Sequence, residues 1–285
     1  MINTRLMMGS SVEEPREWSE SYDSTEGQIA SLAVYDSNLY AGSSTGGKVF
    51  SFNDTSWQES YDSTESYILS LAAYDGNLYA GSYSDGKVFV YNGSTWSLSY
   101  NSAESNINAL AVYGANLYAG GATSGKIFVY NGSSWSESYD ATESRILSLA
   151  VYDGDLYAGA ATGGKIYVYN GSSWSQSYDS SETHIFSLAA YGGNLYAGGN
   201  GNIYIYNGSS WSLSYATTEA TVLALTVFGS KLYAGTSSNG KIFVYNGSSW
   251  SESYDSPATG VYSLAVYNNN LYAGTNPDGK VYVYS

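Results

Sequence analysis

The chain has 285 residues, a formal net charge of −15 and only ten Lys and Arg in total. That balance argues against a nucleic-acid groove and against attraction to an anionic membrane, since both need clustered cations. There is no Cys, which removes disulfides, thiolate nucleophiles and Cys-based zinc sites, while 32 Tyr and 16% aromatic residues supply ample surface for a folded core.

Residues 1–17, MINTRLMMGSSVEEPRE, stand outside the pattern that follows. They hold no apolar signal core and are read as a leader. No run of eighteen apolar residues occurs, so no helical membrane span is expected. A Cys-free, Lys-poor chain rich in Ser, Tyr and Gly suits an extracellular or cell-surface protein.

From Trp18 onward the chain repeats itself. The seven Trp are Trp18, Trp57, Trp96, Trp135, Trp174, Trp211 and Trp250, spaced 39, 39, 39, 39, 37 and 39 apart. The short interval has a local cause: AATGGK between Gly159 and Ile166 becomes GNGN between Gly198 and Ile203. A whole unit reads SSWSESYDATESRILSLAVYDGDLYAGAATGGKIYVYNG. WSESYD alternates as a strand. RILSLAVY is almost continuously apolar, as expected of a strand buried on both faces. DLYAG follows a two-residue Asp-Gly turn, and KIYVY alternates branched and aromatic residues before Asn-Gly turns the chain back. The unit is therefore four antiparallel strands. ILSLAVY is predicted innermost (strand a), then NLYAG (b), KIFVY (c) and the Ser-rich WSESYD at the outer edge (d).

One such meander cannot bury both of its faces, but seven packed around an axis can. The expected fold is all-β, a seven-bladed β-propeller with four antiparallel strands per blade, in a single domain over residues 18–285. The repeat begins in a d strand and ends in a c strand at GKVYVYS. The N-terminal outer strand is therefore expected to complete the last blade, a Velcro closure that covers otherwise open edges.

Over residues 18–285 the pattern resembles seven-bladed β-propellers. It carries neither the Gly-His and Trp-Asp pairs of WD40 repeats nor, in most copies, the Gly-Gly pair of kelch repeats, so no sequence family is assigned. In the closeness of its blades it is similar to propeller lectins of the tachylectin type. Such close copies imply recent amplification of one blade, or design.

Candidate chemistry is sparse. His184 is the one histidine, has no counterpart in the other copies, and reads as a drifted loop residue rather than a general base. Asp-Ser-Thr-Glu loops pair Asp23 with Glu26, Asp62 with Glu65, Asp140 with Glu143 and Asp179 with Glu182. Paired carboxylates can serve glycoside hydrolysis. Their repetition fits turn formation better, with each acid facing a Lys at the start of strand c. Neither a catalytic residue, a metal site nor a cofactor is expected. The sequons at Asn53, Asn92, Asn131, Asn170, Asn207 and Asn246 are read as turn residues. The repeated Trp are read as packing between blades.

Two positions differ between copies while their neighbours do not. The residues just before strand a are Gln28, Tyr67, Asn106, Arg145, His184, Thr221 and Gly260. Two residues on stand Ala30, Leu69, Asn108, Leu147, Phe186, Leu223 and Tyr262. The b–c loops vary too, and in a propeller the d–a and b–c loops share one face. The leading reading is a non-enzymatic, monomeric recognition module that binds a protein or glycan on that face through Tyr67, Asn106, Arg145 and His184. The alternatives are a scaffold without a natural ligand, and third a glycosidase- or lyase-like enzyme.

Overall fold

The computed structural model describes residues 16–285. The described residues form 28 strands and no helix. The pairing runs a–b–c–d within each repeat, as the sequence predicts. Six antiparallel meanders cover residues 29–62, 67–101, 106–140, 145–179, 187–216 and 221–255. The seventh joins residues 260–284 to the first strand, Trp18–Asp23, which pairs antiparallel with Lys280–Tyr284 from Trp18 opposite Tyr284 to Asp23 opposite Lys280.

Turn chemistry explains why each meander forms locally. At the a–b turn Asp153 and Gly154 both have positive φ, 50° and 84°, the conformation a two-residue hairpin of this twist requires. At the c–d turn Asn131 Oδ1 accepts the backbone N–H of Ser133 and of Ser134, each at 2.9 Å. Asn92, Asn170, Asn207 and Asn246 do the same in their own blades. At the d–a loop Ser180 Oγ donates to the Gly164 carbonyl at 2.6 Å and accepts the Glu182 N–H at 3.1 Å, tying that loop to the b–c loop of its own blade.

The core lies between blades. Tyr118 and Ile127 of one blade pack with Ile146, Leu156, Ala158 and Tyr167 of the next. The same arrangement joins Tyr267, Tyr272 and Val281 of the last blade to Ile29, Leu39 and Phe50 of the first. Successive inner strands stand side by side, and the strand 260–267 returns beside Ile29–Tyr35. At the rim each Trp stacks between two blades. Trp174 lies 5.3 Å from Tyr139 of the preceding blade and 5.2 Å from Tyr169 of its own.

The near-continuous apolar run of strand a predicts the deepest burial there, and the structure corrects this. The second strand, Asp155–Ala161, is buried at every position but its first, whereas Arg145–Tyr152 mixes buried and half-buried positions with two exposed ones, Arg145 and Val151. The second strand has a neighbour on each side in its sheet and a blade against each face. The inner strand has one edge on the axial channel.

The Glu17 N–H donates to the Ser285 carbonyl at 3.1 Å, and the Arg16 guanidinium donates to the Asn269 carbonyl at 2.8 Å. Residues 1–15 of the expected leader lie outside the described residues.

Candidate functional site

Tyr67, Asn106 and Arg145, each opening a strand a, sit between two neighbours. Tyr67 pairs with Tyr83 of its own blade and bridges to Ser44 of the preceding one. Asn106 likewise pairs with Ala122 and with Tyr83, and Arg145 with Ala161 and with Ala122. His184 bridges to Ala161. Backbone pairing therefore fixes these four positions, whatever their side chains.

Immediately beyond them the register slips by one residue. In blade four the slip falls between Ile146 and Ser148, so Leu147 is a bulge, and five other blades slip at the matching place. A bulge re-aims its side chain out of the sheet's alternation. Here it aims different side chains at one place. Ala30, Leu69, Asn108, Leu147, Phe186, Leu223 and Tyr262 all border a single cavity of about 480 Å³ at the channel mouth. Of the four sequence-predicted residues, Asn106 and Arg145 border it too. Tyr67 and His184 are not among its lining residues. Tyr67 packs edge-on against Tyr83 at 5.0 Å, and His184 stacks on Phe186 at 5.1 Å with the planes 8° apart.

The bulge residues are thus the floor of the site, more so than the set just before the strand. Sequence variation marks both sets. Only the bulge decides which one turns inward. Tyr262 shows the coupling between them, because a Cβ on Gly260 would lie 2.7 Å from its ring. The Tyr ring occupies the space that other copies give to a side chain at the earlier position.

Most polar groups here are already engaged. Asn108 Nδ2 donates to the Ile146 carbonyl at 3.1 Å, bridging to the next blade. Its neighbour is Ala109, where Ser148 of another copy makes the corresponding bond to Ile185 at 3.3 Å. Asn106 Oδ1 accepts the Ser84 N–H at 3.4 Å. Glu143 is held by Lys165 Nζ at 2.8 Å and by the Tyr167 hydroxyl at 3.2 Å. Glu182 accepts from the Asn200 N–H, Asn202 Nδ2 and the Tyr204 hydroxyl. Arg145 is exposed and forms no ion pair among the described residues. Burial pushes the His184 pKa below its ordinary value, and the nearby Arg145 charge pushes it the same way. His184 Nδ1 meets the Thr183 hydroxyl at 2.7 Å, and among the described residues no carboxylate orients the ring in the manner a general base needs.

No protein-family model matches the chain, and no curated protein matches it in sequence. Solved structures match over nearly its whole length. The WD40 β-propeller domain of Doa1 aligns with a TM-score of 0.74 at 14% identity, covering 95% of this chain and 97% of that one. The fold is a β-propeller. A catalytically inactive virginiamycin B lyase from Staphylococcus aureus, solved with quinupristin, aligns with a TM-score of 0.81 at 9% identity, covering 94% and 98%. The computationally designed protein Ika8 aligns with a TM-score of 0.65 at 17% identity, covering 93% and 98%. At such identities the likeness is one of fold alone.

Proposed function

We infer that the chain is a recognition module rather than an enzyme, a seven-bladed ring that binds a protein or glycan on the face carrying the d–a and b–c loops. The strand Trp18–Asp23 completes its last blade as a Velcro closure. One observation carries this reading: differences between copies collect around one cavity. Ala, Leu, Asn, Leu, Phe, Leu and Tyr occupy the bulge position, yet two residues further along the strand every copy has Leu, from Leu32 to Leu264. Packed positions stay alike because packing constrains them, and the mouth is where the copies acquire different chemistry. The carboxylates of the Asp-Ser-Thr-Glu loops support the non-enzymatic side, since Glu143 and Glu182 are spent on holding b–c loops.

Replacing Tyr67, Asn106, Arg145 and His184 together by Ser tests the reading. The fold is expected to survive, because backbone pairing holds all four positions. Binding to whatever a glycan array or a pull-down from the native host identifies is expected to be lost. Undiminished binding by the quadruple variant moves the site to the blade sides or the opposite face. Finding no partner favours a scaffold without a natural ligand, a reading supported by the near-identical blades.

A further inference from the structure

The mouth cavity has a chemistry of its own. Its volume, about 480 Å³, falls in the range of small-molecule sites, roughly 300–1,000 Å³. Leu69, Leu147, Leu223, Phe186 and Tyr262 make its lining mainly apolar. Asn108, the amide among the bulge residues, already donates to the Ile146 carbonyl. Beneath it a second on-axis space of about 210 Å³ touches the Leu at the same position of all seven inner strands. Gln28 and Asn106 already accept hydrogen bonds through their amide oxygens, and Thr221 and Ser237 bond each other, so a hydrophilic sugar would meet few free partners.

Charge is distributed as unevenly as polarity. The protein carries −15 overall, and its six strand-c lysines are each paired with a carboxylate: Lys48, Lys87, Lys126, Lys165, Lys241 and Lys280. Arg145 borders the cavity, and its guanidinium is in none of the ion pairs among the described residues. Glu143, two residues away, is drawn off by Lys165 and Tyr167. A planar five-donor cation at the lip of an apolar bowl suits a carboxylate above all.

Resting on the reading of the mouth as a binding site, we propose that it takes a small monocarboxylate with an apolar, aromatic or alicyclic body. The body sits on the bulge residues and the carboxylate meets Arg145. The stacked His184–Phe186 pair backs one wall and gives a flat ring a surface to lie against.

Three probes that share a body and differ in head group test this by titration calorimetry: pyrenebutyrate, pyrenebutanol and pyrenebutylamine. Pyrenebutyrate is expected to bind once per chain, about tenfold more tightly than the alcohol, the size of one charge-assisted hydrogen bond, with the amine weakest. Arg145→Gln is expected to erase the preference for the acid while leaving the alcohol unchanged. Leu147→Ser combined with Leu223→Ser is expected to weaken all three, with circular dichroism confirming the fold. Equal binding of the three heads, a preference that survives Arg145→Gln, or no binding at all overturns the proposal. If the pyrene series fails while the quadruple Ser variant still loses a glycan or protein partner, the ligand class is wrong and the mouth remains the site. If Arg145-dependent binding of pyrenebutyrate is seen while that variant keeps its partner, the small-molecule site stands and the partner docks elsewhere.

Discussion

Six lysines open strand c, and each finds a carboxylate on strand d or in the d–a loop. Where strand d supplies Glu, the lysine turns outward. Lys126 reaches Glu137, Lys241 reaches Glu252 and Lys280 reaches Glu20, each at 2.7 Å. Where strand d has Leu98 or Gln176 instead, Lys87 and Lys165 turn to the loop acids Glu65 at 2.7 Å and Glu143 at 2.8 Å. Lys48 has both partners, Glu59 at 3.1 Å and Glu26 at 3.6 Å. The expected Glu–Lys approach across the rim is therefore real in some blades and replaced in others. Exposed pairs of this kind add little to stability. Steric fit decides more. Gly159 sits in the second strand where the next blade presses close, and a Cβ there would overlap Ser148 Oγ and lie 2.6 Å from Ile185 Cγ2. Gly159→Ala is expected to destabilise the protein by about 1–3 kcal/mol through overpacking. Urea unfolding midpoints measure it, and an unchanged midpoint would show that the blades part easily.

Two bulges mark six of the blades, and the blade of residues 187–216 has the outer one alone. The inner one aims the variable side chain at the channel. The outer one falls in strand d, where Ser138 is skipped between Tyr139 and Glu137. That skip presents its hydroxyl to the next blade, and Trp174 Nε1 donates to it at 3.0 Å. Six Trp make this bond, from Trp57 with Ser21 to Trp250 with Ser214. Trp18 differs: its Nε1 is buried without a partner among the described residues, although its ring stacks on Tyr254 at 5.1 Å and Tyr284 at 5.3 Å. The junction made by the chain's two ends therefore lacks one bond that the other junctions have. Deleting residues 1–23 removes this strand, uncovers the edge of Lys280–Tyr284 and strips the stacked ring, at an expected cost of at least about 3 kcal/mol. Deleting residues 1–15 leaves every described contact in place, so its melting temperature is expected to match the full chain. Equal melting of both truncated chains would mean that the ring does not depend on its first strand.

At the scale of the molecule, every core between blades buries at least one tyrosine among its aliphatic residues. Burial pushes the phenols of Tyr40, Tyr157 and Tyr282 up to about 12, with lesser contributions from charged or phenolic neighbours. Their ordinary value is 10.0. The folded chain thus keeps protons that the unfolded chain gives up. The stability this represents is fully present below about pH 10 and is lost as the pH rises toward about 12. Phenolate absorbance is expected to lag in mild alkali and then rise together with the loss of β-sheet circular dichroism. A smooth titration of all tyrosines with the sheet intact would contradict it.

The blade and the number of its copies are legible in the letters alone. Turns such as Asn131-Gly132 and Asp153-Gly154, and the two-residue deletion at GNGN, act within a few residues of chain. The Trp spacing likewise announces contacts between blades. Which strand is most enclosed, and which variable residues form the floor of the mouth, emerge only when the blades come together. Both depend on what stands beside a strand rather than on what it is made of. An apolar inner strand still has one edge on the channel, and a bulge at Leu147 turns inward only once its register against Asp155–Ala161 is fixed. Tyr67 and His184 are as apt as Arg145 by residue type. Neither lines the cavity: Tyr67 packs edge-on against Tyr83 and His184 stacks on Phe186, contacts that sequence spacing does not specify.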